Sequence, residues 1–114
     1  MNWIELASAE QLDAIITASA TKPQIIFKHS TRCSISTMAK SRLERASKPD
    51  ELPFYYLDLL SYRPISNKIA EVFDVEHQSP QVLVIKNGEC VYTESHSGIS
   101  MDEILDKAGM NWCH

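Results

Sequence analysis

Three side chains in this sequence could do sulfur chemistry: Cys33, Cys90 and Cys113. Their odd number and wide spacing do not make a disulfide framework. No C-x-x-C pair and no Cys/His cluster of zinc spacing occurs, so no metal site is expected. A cysteine that matters here acts as a single thiol. Cys33 is the best placed. It stands in His29-Ser30-Thr31-Arg32-Cys33-Ser34-Ile35-Ser36, between a short apolar run and a helical pattern. That predicts a thiol at a helix N-terminus, where unpaired backbone N–H groups and the helix dipole favour thiolate over thiol. Arg32 adds positive charge in the same direction. A cysteine can also stand at such a turn without a role. Cys33 further opens a C-x-x-S arrangement, with Ser36 where a dithiol motif would carry its second sulfur. A serine can donate a hydrogen bond to the thiolate but cannot resolve a mixed disulfide. The chemistry this implies is monothiol exchange: Cys33 takes one half of a disulfide, and a second thiol releases it.

A third feature is Ser79-Pro80. Proline has no N–H for a sheet ladder and sits best at the start of a strand. Here it opens an apolar run that would lie beside Cys33. The alternative is an ordinary trans proline in a surface loop.

The surrounding pattern must position these residues. Ser8-Ala9-Glu10-Gln11 has the form of a capping box, and Leu12, Ile15 and Ile16 repeat at helical spacing behind it. Thr21-Lys22-Pro23 ends that helix. Gln24 to His29 reads as a strand buried on both faces. Ile35, Met38, Ala39, Leu43 and Ala46 mark the buried face of a second helix, closed by Lys48-Pro49. Phe54 to Leu59 is a second strand. Pro64 opens a third helix, with Ile65, Ile69, Val72 and Phe73 as its apolar face. Gln81 to Lys86 and Glu89 to Glu94 flank Asn87-Gly88, the signature of a type I′ hairpin. Ser100-Met101-Asp102-Glu103 opens a last helix bearing Ile104, Leu105 and Ala108.

The order αβαβαββα predicts an α/β fold: one four-stranded mixed sheet with helices on both faces. This is the order of a thioredoxin-like domain, and residues 1–114 read as one such domain. In thioredoxin-like folds the proline is cis, and the residue before it presents backbone groups to substrate. Ser79 and Pro80 are therefore candidate substrate-binding residues.

The sequence also resembles the YtxJ-type proteins, the monothiol bacilliredoxins. The matching stretches are Lys28-His29-Ser30-Thr31-x-Cys33-x-Ile35-Ser36, Glu76-His77-Gln78-Ser79-Pro80-Gln81-Val82 and Ile85-Lys86-Asn87-Gly88, within a likeness reaching from the first helix to about Ile99. The family's usual motif is Thr-Cys-Pro-Ile-Ser; Arg32 and Ser34 depart from its first and third positions. Without proline at Ser34 the first helical turn should be slightly looser. The resemblance implies that a bacterial protein of this kind removes bacillithiol, or a similar small thiol, from protein mixed disulfides. Cys33 is then the attacking residue, with Ser36 beside it and Thr31, Arg32 and Ser34 lining the substrate side. The small thiol serves as co-substrate, with no tightly bound cofactor.

The remaining candidates have plainer readings. Cys90 reads as a buried inert thiol. Cys113 reads as an incidental thiol near the chain end, with a resolving or interchain role as the alternative. His29, His77, His96 and His114 show no metal-ligand spacing. His29 reads as a polar strand end, with a place near Cys33 as the alternative, and His77 as a residue that could line the site. Asp58 is either a buried acid near the thiol or a solvated strand end. Trp3, Tyr55 and Trp112 read as packing residues.

Composition narrows the function classes. The chain has 114 residues, a net charge of −4 and a pI near 5.5. That disfavours a nucleic-acid binder working through phosphate neutralisation. No apolar run approaches the roughly 20 residues of a transmembrane helix, and the first residues lack a signal-peptide pattern. The expectation is a cytoplasmic monomer or weak dimer that meets mixed-disulfide proteins and small thiols. The rivals are a non-catalytic thioredoxin-like binding module with a vestigial Cys33, and an iron–sulfur carrier. The second would want Gly-Phe where Ser34-Ile35 stand. A C-x5-R phosphatase loop is excluded by Ala39.

Overall fold

The computed structural model describes residues 3–30, 34–46 and 52–109. The expectations for Thr31, Arg32, Cys33, Lys48, Pro49, Trp112, Cys113 and His114 lie outside the described residues. The elements in chain order are β1 (Trp3–Glu5), α1 (Ala9–Ala18), β2 (Gln24–His29), α2 (Ser34–Arg45), β3 (Phe54–Asp58), α3 (Arg63–Val72), β4 (Gln81–Lys86), β5 (Glu89–Ser95), a 3-10 turn (His96–Gly98) and α4 (Met101–Lys107).

The start signals read from the sequence form as written. Ser8 is extended and its Oγ accepts from the Gln11 N–H at 3.2 Å; Ser100 does the same for Glu103 at 3.3 Å. Gln11 returns the bond one residue early, to the Ala7 N–H. Its amide also donates to the Glu5 carbonyl, tying α1 to the end of β1. In α3, Pro64 is the second residue, after Arg63. Asn87 and Gly88 both take positive φ, +53° and +76°, as the tight turn requires. The Ser19 carbonyl and hydroxyl accept the two N–H groups of that turn and hold its tip against the end of α1.

The sheet runs β1-β3-β2-β4-β5. β3 is parallel to both β1 and β2, while β4 is antiparallel to β2 and β5. The sheet thus has five strands rather than four. Trp3–Glu5 adds the fifth, paired in register with Phe54–Tyr56. Three residues are too short to show an alternation, so the segment carried no strand signal. Its anchor is aromatic: the Trp3 ring packs on Phe27, Phe54 and Tyr56.

Central β2 is buried at all six positions. Ile25 and Phe27 face one layer, with Ala39 and Leu43 of α2 and Met101 and Ile104 of α4. Ile26 faces the other, with Leu12 and Ile15 of α1 and Ile65 and Ile69 of α3. α2 is rotated relative to the expected face. Its buried stripe is Ser36, Ala39 and Leu43, and Ala46 packs at its edge. Ile35 and Met38 are exposed, at 49% and 66%. They fall about 60–120° round the helix from that stripe. Val72 is likewise exposed, while Phe73 turns inward. An irregularity between Val84 and Ile85 puts Cys90 opposite Ile85 and Tyr92 opposite Val84. It sends Cys90 to the α1/α3 layer and Tyr92 to the other.

Candidate functional site

The C-terminal end of β2, the start of α2 and the segment before β4 meet at one end of the sheet. β2 delivers Lys28 and His29 there on opposite faces. His29 is buried beside Phe27, with ring centroids 5.9 Å apart, and beside Tyr56 at 5.5 Å. Its Nδ1 lies 2.6 Å from Oγ of Ser36, which is also fully buried. The Ser30 N–H donates to the same oxygen at 3.1 Å. Burial, then the Lys40 charge, holds the His29 pKa below its usual value, against weaker opposing effects from Asp58 and Glu44. Ser34 is exposed at the first position of α2.

On the other face, Lys28 is fully buried. Its Nζ donates to the Ser66 carbonyl at 3.1 Å and meets His77 Nδ1 at 3.3 Å. Burial lowers the Lys28 pKa to about 8. His77 belongs to the segment leading into β4, whose Ser79–Pro80 bond is cis. Pro80 is buried, and its carbonyl accepts from the His96 N–H at 3.1 Å. Ser79 Oγ is buried and has no hydrogen-bond partner among the described residues. Next to this end, Ile35, Met38 and Arg42 of α2 and His96 line a shallow groove.

The structure therefore brings Ser34, Ser36, Ser79 and Pro80 to one end of the sheet. Two residues were underread in the sequence. Lys28 falls in a strand read as buried on both faces but is given no partner there, and His29 reads as a polar strand end. The available signal was their place in a run otherwise buried on both faces, where a polar side chain must find a partner. His77 lines this end through its contact with Lys28. Asp58 caps the turn after β3: its carboxylate accepts from the Leu60 N–H and the Ser61 hydroxyl, both at 3.1 Å.

Cys90 stands apart. It pairs with Ile85, which pairs with Gln24 at the opposite end of β2 from His29. Five residues of strand, roughly 17 Å, separate Gln24 from His29. The thiol is half-buried rather than fully buried, donates to the Tyr92 carbonyl at 3.3 Å, and has its pKa raised by burial.

Known proteins agree with this architecture. A solved thioredoxin-fold protein is 30% identical, with a TM-score of 0.81 and 91% of each chain covered. Thioredoxin from Malassezia sympodialis is 17% identical, with a TM-score of 0.73, covering 96% of this chain and 90% of that one. Fasciola hepatica thioredoxin is 18% identical, with a TM-score of 0.72 and coverage of 94% and 97%. The fold is that of thioredoxin, and the chain has a thiol oxidoreductase-type role. No helix among the described residues is long and apolar enough to cross a membrane. The family model described as monothiol bacilliredoxin BrxC matches residues 4–104. With that span including Cys33, Ser36 and the Ser79–Pro80 pair, the chain belongs to the monothiol bacilliredoxin family.

Proposed function

We propose that this protein removes bacillithiol, or a similar small thiol, from protein mixed disulfides in the bacterial cytoplasm. The Cys33 thiolate attacks the small-thiol sulfur. A new disulfide forms between Cys33 and the small thiol, the old disulfide breaks, and the protein sulfur leaves as thiolate and takes a proton. A second small thiol then attacks the Cys33 disulfide, leaves as the small-thiol disulfide, and returns Cys33 to its reduced form. No step uses a second cysteine of the same motif, because that position is Ser36.

The observation that carries this reading is the meeting of Ser36, from the C-x-x-S motif, with Ser79 and Pro80 at one end of the sheet. β4 is hydrogen-bonded to β2, the strand that leads into the C-x-x-S motif. In this reading Ser79 and Pro80 bind the substrate chain beside Cys33; the Ser79 hydroxyl is buried and has no hydrogen-bond partner among the described residues. The same reading takes Thr31, Arg32 and Ser34 as further substrate-binding residues.

The test is to incubate the reduced protein with bacillithiol disulfide and, separately, with glutathione disulfide, and to map the adducts by peptide mass spectrometry. An adduct on Cys33 from the first reagent and not the second supports both reaction and co-substrate. Labelling confined to Cys90 or Cys113 overturns the reading. A Cys33 alkylation midpoint near the unperturbed value of about 8.5 supports the non-catalytic binding module instead.

A further inference from the structure

Lys28 is buried in the central strand without a counter-charge: no carboxylate pairs with it among the described residues. An ammonium has three donors and no acceptor. It therefore donates to His77 as well as to the Ser66 carbonyl, and His77 accepts through Nδ1 with its own proton on Nε2. The Ser66 hydroxyl lies 3.3 Å from the same nitrogen. His77 is itself exposed, so its ring closes over the buried ammonium from the solvent side. The segment that carries His77 has a second anchor in Gln81. That side chain donates to the Glu76 carbonyl at 2.9 Å and accepts from the Gln78 N–H at 3.4 Å. The residues leading to the cis bond are thus held at two points, an amide that does not titrate and an imidazole that does.

We propose that Lys28 and His77 are positioning residues for the Ser79–Pro80 segment, and that this tie exists only while His77 is neutral. A proton on Nδ1 removes the acceptor and sets two cations at hydrogen-bond distance. The charged groups facing His77 are Lys28 from β2 and Arg63 from α3. On its own segment, the Glu76 carboxylate accepts from the Gln78 amide at 2.9 Å. Burial and the two cations all oppose protonation and hold the His77 pKa below its usual value. The segment is consequently held at both points at neutral pH and keeps only the Gln81 anchor in acid. The inference deepens the reading of Ser79 and Pro80 as substrate-binding residues and rests on it.

Imidazole ¹H–¹⁵N spectra of the wild type and Lys28→Met across acid to neutral pH test the tie, with His77→Asn identifying the resonance. Loss of the Lys28 charge should raise the His77 midpoint by roughly half a unit or more. In the wild type the amide signals of Glu76 to Ser79 should move with that same midpoint. An unchanged midpoint, or amides that ignore it, overturns the tie. Steady-state kinetics on a fluorescent peptide carrying a bacillithiol mixed disulfide test the consequence. His77→Asn keeps a neutral acceptor that cannot titrate, and His77→Ala removes it. From neutral pH to about pH 5, the wild-type KM should rise several-fold more than that of His77→Asn, and His77→Ala should have a raised KM at both. The ionisation of Cys33 enters all three proteins alike. Equal pH dependence in wild type and His77→Asn overturns the positioning role. The spectra need no turnover, so an inactive wild type would defeat the proposed reaction while the spectra still decide the Lys28–His77 tie.

Discussion

Nδ1 of His29 and Oγ of Ser36 lie 2.6 Å apart, with both side chains buried and the Ser30 N–H donating to the same oxygen. The hydroxyl has a single proton to place. Burial and Lys40 favour the neutral ring, and in its Nε2–H tautomer that proton goes to Nδ1. When Nδ1 carries a proton, the oxygen accepts from both neighbours and its own proton is free for another acceptor.

Removing the hydroxyl should therefore cost stability. Ser36→Ala leaves the Ser30 N–H and His29 Nδ1 without this partner, and a buried unsatisfied group costs about 1–3 kcal/mol. Urea unfolding measures it. The same variant bears on the thiol. If Ser36 stabilises the Cys33 thiolate, Ser36→Ala raises the midpoint of iodoacetamide alkylation at Cys33. His29→Phe, which frees the hydroxyl proton, lowers it. A midpoint that ignores both changes removes this pair from the thiolate's surroundings.

Lys28 should make stability depend on pH in the alkaline range. Its pKa falls from 10.5 to about 8 on folding. Between those values the unfolded chain holds a proton that the folded chain lacks, so stability rises with pH across that window. Below it the full cost applies, about 3 kcal/mol for that shift. Lys28→Met fills a similar volume without charge but leaves the Ser66 carbonyl without its Lys28 donor, which offsets part of the gain. The variant should be at least as stable as the wild type at neutral pH. Its advantage should shrink toward pH 10, as read by urea unfolding at both ends. An advantage that is constant with pH would show that the charge is not its source.

Cys90 should be a slow thiol. Its pKa is raised by burial, and it sits at the end of the sheet remote from His29 and Pro80. Brief alkylation at neutral pH, followed by peptide mapping, should label Cys33 well before Cys90. Cys90→Ala should leave exchange with a mixed-disulfide peptide unchanged. A large loss of activity in that variant would make Cys90 a participant.

The rotation of α2 sets the cost of substitutions along it. Leu43 is fully buried, so Leu43→Ala should cost about 2–5 kcal/mol. Ile35→Ser and Met38→Ser, on the exposed side, should stay within about 0.5 kcal/mol. Urea midpoints separate the two groups. A Met38→Ser cost near that of Leu43→Ala would place Met38 in the core.

Much of the element order could be read from the chain because its signals are local. Ser8 and Ser100 each bond an N–H three residues on, and Asn87-Gly88 closes a turn within itself. Leu12, Ile15, Ile65 and Ile69 repeat at a helix's own period. The alternation of elements then gave the thioredoxin-like order, and in that fold the place of Ser79-Pro80 at the head of a strand pointed to a cis bond. What escaped that reading was settled by tertiary packing. Trp3–Glu5 is a strand because β3 offers it an edge and Phe27, Phe54 and Tyr56 offer its tryptophan a bed. α2 turns Ser36 inward and Ile35 outward because a buried histidine waits for the hydroxyl, a preference no hydrophobic period records. Lys28 finds its partner 49 positions away, in a segment brought over it by the pairing of β4 with β2. A side chain's partner across the sheet depends on register, and register is fixed only when the whole sheet assembles.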